Sequence, residues 1–129
     1  MLKNILFVCR ENSCRSQIAE GLVNYLYRDK FIAYSAGSEP AKIINPLAVE
    51  VMKEIGIDIS GQKPKDFSAI EGIEFDYVIT MGCTDVCPFY PAKERLDWQI
   101  PDPKGKPREF FRRIREEIKK RLEILNDKV

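Results

Sequence analysis

Ile5 to Val8 is an unbroken run of large apolar side chains that ends abruptly at Cys9-Arg10-Glu11. A short run with no polar alternation suits a strand buried on both faces of a parallel sheet. Beyond the loop, from about Ser16 to Asp29, Ile18, Leu22 and Leu26 recur one helical turn apart beside Ala19 and Val23, the apolar stripe of an amphipathic helix. The same alternation continues. Phe31 to Ala36 reads as a second strand, punctuated by Gly37 and Pro40. Pro46 suits a first helical turn, and Leu47, Ala48, Val51, Met52 and Ile55 carry that helix to Gly56, which stops it. Tyr77 to Met81 is a third buried strand, and Leu96, Trp98 and Ile100 alternate with polar residues as a short edge strand does. Phe111, Ile114, Ile118, Leu122 and Leu125 mark the buried face of a last helix, with Glu116 and Lys120, and Glu117 and Arg121, as exposed pairs one turn apart. Right-handed crossovers between such elements predict an α/β fold, a small doubly wound four-stranded parallel sheet with helices on both faces. At 129 residues the chain fits one domain, 1–129, with one core and one expected site.

Composition narrows the chemistry. Lys plus Arg number 21 against 20 for Asp plus Glu, so no polyanion-binding surface is indicated and nucleic acid is not expected as a partner. Met1 to Val8 is apolar only briefly before Arg10 and Glu11, which suits neither a signal peptide nor a membrane span, so a cytoplasmic protein with no membrane partner is expected. Histidine is absent, which removes Cys-His and Ser-His pairs and imidazole-based zinc motifs. Acid and base work falls to carboxylates or cysteines. In a reducing compartment the four cysteines read as catalytic, redox-active or metal-binding rather than as a structural disulfide framework.

In such sheets ligands sit beyond the carboxyl ends of the strands, which is where the loops after Val8 and Met81 lie, and these two loops hold all of the cysteines. The segment Cys9-Arg10-Glu11-Asn12-Ser13-Cys14-Arg15-Ser16 places a thiol and a guanidinium at the two ends of a strand-to-helix turn. A loop winding into a helix start turns successive amides inward, and the helix dipole adds partial positive charge, so an oxyanion is expected there. Arg15 can grip two of its oxygens with a fork that lysine cannot copy. The same field favours thiolate over thiol at Cys9, making it both nucleophile and anion ligand. The Ser16 hydroxyl is placed to hydrogen-bond that sulfur, and Asn12 tolerates a left-handed loop conformation.

The stretch VCRENSCRSQIAEG, followed by SAGS at Ser35 to Ser38 and EIGIDIS at Glu54 to Ser60, resembles the low-molecular-weight protein tyrosine phosphatases and, among them, the thioredoxin-coupled arsenate reductases. The resemblance covers nearly the whole chain and implies an arsenate or phosphate-like oxyanion in the Cys9 loop. It implies that Asp102, in the rigid segment Pro101-Asp102-Pro103, protonates the leaving oxygen. It also implies a relay: Cys9 attacks arsenate, Cys83 attacks Cys9 and releases arsenite, Cys87 attacks Cys83, and thioredoxin reduces the resulting disulfide. With Cys83 and Cys87 four positions apart, a helix would hold their Cα atoms roughly 6 Å apart, inside the disulfide range. Some members bind potassium near the loop, and Asn12, Glu20 and Ser35 match positions that contribute oxygens, although Glu20 also reads as a polar residue on an exposed helix face. Two positions depart from the phosphatases: Glu11 where glycine is common, and Lys104 where tyrosine often follows the acid's proline.

Three readings are therefore distinguished. An arsenate reductase uses Cys9, Arg15, Asp102, Cys83 and Cys87. A phosphatase working through a Cys9 phosphocysteine needs only water to finish its cycle and leaves Cys83 and Cys87 as packing residues. A zinc or redox-sensing module explains neither Arg15 nor Asp102, and the cysteine spacings make poor zinc knuckles. Trp98 and Tyr90 either frame a substrate mouth or belong to the core, and the cluster Arg112, Arg113, Arg115 reads as a solvated helix face.

Overall fold

Alternate side chains of the first strand serve two different cores, and this sorts the rest of the chain. The computed structural model describes residues 2–82 and 90–129. Strand β1, Lys3–Val8, lies inside a four-stranded sheet of order β2-β1-β3-β4, with β2 at Phe31–Ala36, β3 at Tyr77–Thr80 and β4 at Glu94–Asp97. Every pairing is parallel, and the registers Val8 with Ala36, Val8 with Thr80 and Thr80 with Asp97 bring all four carboxyl ends to one edge. Because side chains alternate across a strand, Ile5 and Phe7 face a large apolar cluster while Leu6 and Val8 face a smaller one.

The large cluster holds helices α1, Arg15–Leu26, α2, Pro46–Lys53, and α3, Arg108–Lys128. Helix α3 packs against both α1 and α2. All five residues read as its apolar face, Phe111, Ile114, Ile118, Leu122 and Leu125, are buried. Helices on both faces thus take an uneven form. Three α-helices cover one side, and among the described residues the other is covered by a 3-10 turn at Phe67–Ile70 with Phe75 and Tyr90.

Local chemistry sets the boundaries. Asn45 caps α2 by accepting from the Leu47 amide at 2.9 Å, Pro46 opens it, and Gly56, at φ +79°, takes the left-handed conformation just beyond its end. The edge strand falls earlier than expected: β4 ends at Asp97, opposite the last residue of β3. Trp98 and Ile100 keep buried side chains but belong to the loop beyond, and Trp98 packs on Phe7 with ring centroids 6.2 Å apart. Tyr90 stacks on Phe67, so both aromatics serve the cores. The arginine cluster on α3 is more than a solvated face. Arg112 and Arg115 both bind Glu54 beyond α2, at 2.7 and 2.9 Å, and hydrogen bonding from Arg112 holds that carboxyl down to about 2. Of the two pairs expected along α3, Glu117 meets Arg121 at 2.8 Å, whereas Glu116 turns to Arg115 instead.

Candidate active site

The loop from Cys9 to α1 is held by its carbonyls. Arg10 O accepts from the Glu39 amide at 2.9 Å, Glu11 O from the Ala41 amide at 2.9 Å, and Ser13 O from the Asn45 amide at 3.0 Å. Asn12 O accepts from Gln17 Nε2 at 3.0 Å. Three of these carbonyls are engaged by the chain that follows β2 and the fourth by Gln17 of α1, contacts that fix the loop's backbone and with it the loop's amides. The amides lead directly into α1, whose first-turn amides have no intrahelical acceptor and no side-chain cap. A loop that ends at such a helix start can cradle an anion by backbone and dipole.

Two residues make the close winding possible. Asn12 sits at φ +51°, in the left-handed region that asparagine tolerates, and its side chain fastens the loop from beneath. Its Nδ2 donates to Ser16 Oγ at 2.7 Å, and its Oδ1 accepts from the Lys65 amide at 2.9 Å and from Gln17 Nε2 at 3.0 Å. Gly37 lies against the loop's backbone: a Cβ there would stand 2.6 Å from Arg10 O and 2.7 Å from Cys9 O. Neither contact can be relieved by a side-chain rotation, so Gly37→Ala is expected to destabilise the fold by about 1–3 kcal/mol, the range for overpacking. Urea unfolding compared with wild type measures this.

Cys9 is 2% exposed and its sulfur lies 2.8 Å from Ser16 Oγ, as expected of the hydroxyl. It lines a small pocket with Glu11, Ser13, Cys14, Arg15, Asp102 and Lys104. The Arg15 side chain is 7% exposed. Its Nη1 donates to the carbonyls of Met81, beyond β3, and of Ile100, beyond β4, the latter at 2.9 Å. Gly82, at φ +86°, keeps that approach open, since a Cβ would stand 3.3 Å from Nη1. Nη2 lies 3.8 Å from Asp102 Oδ2, and Nε is buried without a hydrogen-bond partner. One edge of the guanidinium is thus fixed to the fold, and Nε and Nη2 remain as donors for a tetrahedral anion.

The structure divides the predicted loop residues by role. Cys9, Glu11, Ser13, Cys14 and Arg15 face the pocket, whereas Asn12 and Ser16 are fully buried beneath it. The Arg10 side chain turns outward to Glu39 at 3.3 Å, so it brings only backbone to the cradle. Asp102 joins the site, its Oδ1 accepting from the Lys104 amide at 3.1 Å. Cys83 and Cys87 lie outside the described residues. Among the described residues no cluster of acidic or sulfur side chains suits a metal ion.

Of Asn12, Glu20 and Ser35, the residues matched to a potassium site, Glu20 and Ser35 share a hydrogen bond and both lie beside the Lys65 ammonium. Lys65 Nζ stands among them, 3.5 Å from Glu20 Oε1, 3.3 Å from Ser35 Oγ and 3.1 Å from Lys63 O. The Asn12 oxygen is already used twice. The ammonium supplies positive charge at this place. Lys65 carried no sequence signal, being 45 positions from Glu20. The supporting roles of Gln17, Gln62 and Gly37 also escaped the sequence reading, since they appear only when the loop meets the chain beyond β2.

Cys14 behaves differently from an attacking thiol. Burial pushes it up to about 11, with Asp102 and Cys9 adding to the rise against opposing contributions from Ser13 and Arg15. At about pH 8 only on the order of one part in a thousand is then thiolate. Iodoacetamide at that pH is expected to leave Cys14 unlabelled in the folded protein, with labelling rising only towards strongly alkaline pH; peptide mapping by mass spectrometry checks this.

Comparison with known proteins agrees with this geometry. A glutaredoxin arsenate reductase from Synechocystis is 39% identical over 131 residues, covering 99% of both chains. Arsenate reductase 2 of Staphylococcus haemolyticus is 42% identical over 94% of both. Among solved structures, an arsenate reductase in the phosphate-binding state superposes with a TM-score of 0.88 at 38% identity, covering 99% of each chain. A thioredoxin-dependent arsenate reductase from Corynebacterium glutamicum gives 0.76 at 38% identity, covering 99% of this chain and 64% of that one. The sequence profile for low molecular weight phosphotyrosine protein phosphatase matches residues 4–129. With a strand, an anion loop and a helix arranged around Cys9 and Arg15, and that match running to its last residue, the chain belongs to the low molecular weight phosphotyrosine protein phosphatase family.

Proposed function

We propose that this chain reduces arsenate to arsenite with its own thiols and that thioredoxin restores them. The observation that carries the choice of reaction is the likeness, along almost the whole chain, to proteins named arsenate reductase. The loop supplies the chemistry. Its amides and the free edge of Arg15 hold three oxygens of the anion, and the Cys9 thiolate attacks arsenic from the pocket floor. An As–O bond breaks, and Asp102 gives the departing oxygen its proton so that it leaves as water. The Cys83 thiolate then attacks the Cys9 sulfur. The S–As bond breaks with its electron pair passing to arsenic, which leaves as arsenite, and a Cys9–Cys83 disulfide remains. Cys87 attacks Cys83 and frees Cys9. Two electrons have passed from two thiols to As(V), and a thioredoxin dithiol returns them by reducing the Cys83–Cys87 bond.

A cytoplasmic setting, where thiols are kept reduced, suits this cycle. Among the described residues no helix is long and apolar enough to cross a membrane. A phosphatase reading draws on the family profile itself and shares every step up to the Cys9 adduct. Steady-state assays separate the two. With thioredoxin, thioredoxin reductase and NADPH, arsenate-dependent NADPH oxidation is expected, with aryl phosphate hydrolysis far slower. Rapid aryl phosphate hydrolysis without arsenate-dependent NADPH oxidation establishes the phosphatase instead. Glutaredoxin with glutathione is the second reductant to run, given the relative in Synechocystis.

A further inference from the structure

We infer that Glu11 and Lys104 form a specificity-determining strap across the mouth of the pocket, favouring a free tetrahedral oxyanion over its organic esters. The inference rests on the reading of the Cys9 loop as the oxyanion site. Lys104 Nζ donates to both Glu11 oxygens, at 2.9 and 2.8 Å. The two residues are 93 positions apart, so the ion pair ties the loop after β1 to the loop after β4. Both line the pocket, and their side chains reach solvent where those of Cys9 and Arg15 are buried. The Lys104 backbone is itself fixed, its amide donating to Asp102 Oδ1 at 3.1 Å between Pro103 and the turn at Gly105. Strap and proton donor are therefore one unit.

A tetrahedral anion held by three oxygens directs the fourth at this mouth, beside Asp102. In inorganic arsenate or phosphate that atom is a hydroxyl or oxyanion, and the Lys104 ammonium can turn from Glu11 to meet it. In an ester the same position carries a carbon substituent. It must pass between Glu11 and Lys104, separating the pair, and it offers no charged oxygen in return. Glu11 adds a negative charge beside the entrance, which the ammonium neutralises only while paired. An exposed pair of this kind is easily opened, so the strap discriminates by what it meets in the bound state rather than by barring access.

Protection of Cys9 from iodoacetamide, read by mass spectrometry, tests this without requiring turnover. Inorganic phosphate and phenylphosphonate serve as protectants. In the wild-type protein phosphate is expected to protect at least about tenfold more tightly than phenylphosphonate. Lys104→Met, which removes the ammonium that meets the fourth oxygen, should shrink that ratio to within about threefold, whereas Glu11→Ala, which spares both ligands the opening of the pair, should tighten both and keep the preference for phosphate. Equal protection in the wild type, or an undiminished ratio in Lys104→Met, overturns the strap. Retained phosphate protection shows that each variant is folded. Failure of the reductase reading looks different: phosphate protects, yet arsenate drives no NADPH oxidation.

Discussion

Cys9→Ser is expected to bring arsenate reduction to background, a loss of about 10⁴-fold or more, while inorganic phosphate still binds within about tenfold of wild type. The separation of the two effects follows from how the site is divided. The cradle consists of amides and the Arg15 guanidinium, none of which the substitution removes, and the smaller oxygen can keep the bond to Ser16 Oγ that the sulfur makes at 2.8 Å. What is lost is a nucleophile. A serine hydroxyl needs a base to become reactive, and with no histidine in the chain, Asp102 assigned to the leaving oxygen and Glu11 paired with Lys104, none is at hand among the described residues. A serine also cannot pass electrons to arsenic through a broken S–As bond. Calorimetric titration with phosphate beside the coupled NADPH assay measures both halves. Loss of phosphate binding in step with turnover would mean that the sulfur builds the loop rather than attacking from it.

Cys83→Ser should give an equally large effect of another kind. Cys9, Arg15 and Asp102 remain, so the first attack proceeds, but no thiol is available to take arsenite off Cys9. At most a single arsenate is then consumed per chain, and arsenate-dependent NADPH oxidation with thioredoxin falls to background. Any aryl phosphate hydrolysis, which needs water in place of the second thiol, should persist. Undiminished multiple turnover of arsenate in Cys83→Ser would remove this residue from the relay. The same assay on Cys87→Ser locates the later step, with the enzyme expected to stall as a Cys9–Cys83 disulfide.

Much of this site was legible because chemistry and local structure coincide at one place. A buried strand, a thiol, a guanidinium and a helix start within one short stretch suggest an anion loop by their order alone, and the fold brings Cys9, Ser16 and Arg15 together there with Asp102, a position that only the family resemblance singled out. The helices were equally readable where periodicity was strong, as along α3. The expected edge strand shows the limit. Leu96, Trp98 and Ile100 alternate regularly, but ladder hydrogen bonds need a partner, and β3 ends at Thr80. The loop's supports were less accessible still. Gly37, Lys65 and Gln62 act through contacts with backbone or side chains distant in the chain, so their residue types advertise nothing locally. Lys65 also shows what such a contact adds: its ammonium lies beside Glu20 and Ser35, while its backbone amide donates to Asn12 Oδ1.

The central claim is that the electrons for reduction come from this chain's own sulfurs, by way of Cys9. It is tested most directly by mixing the fully reduced protein with excess arsenate in the absence of any other reductant, then measuring arsenite and mapping the cysteines by mass spectrometry. The account predicts one arsenite per chain, a loss of two hydrogens in mass, and a disulfide between Cys83 and Cys87 with Cys9 and Cys14 still free. Four intact thiols and no arsenite after that incubation would contradict it.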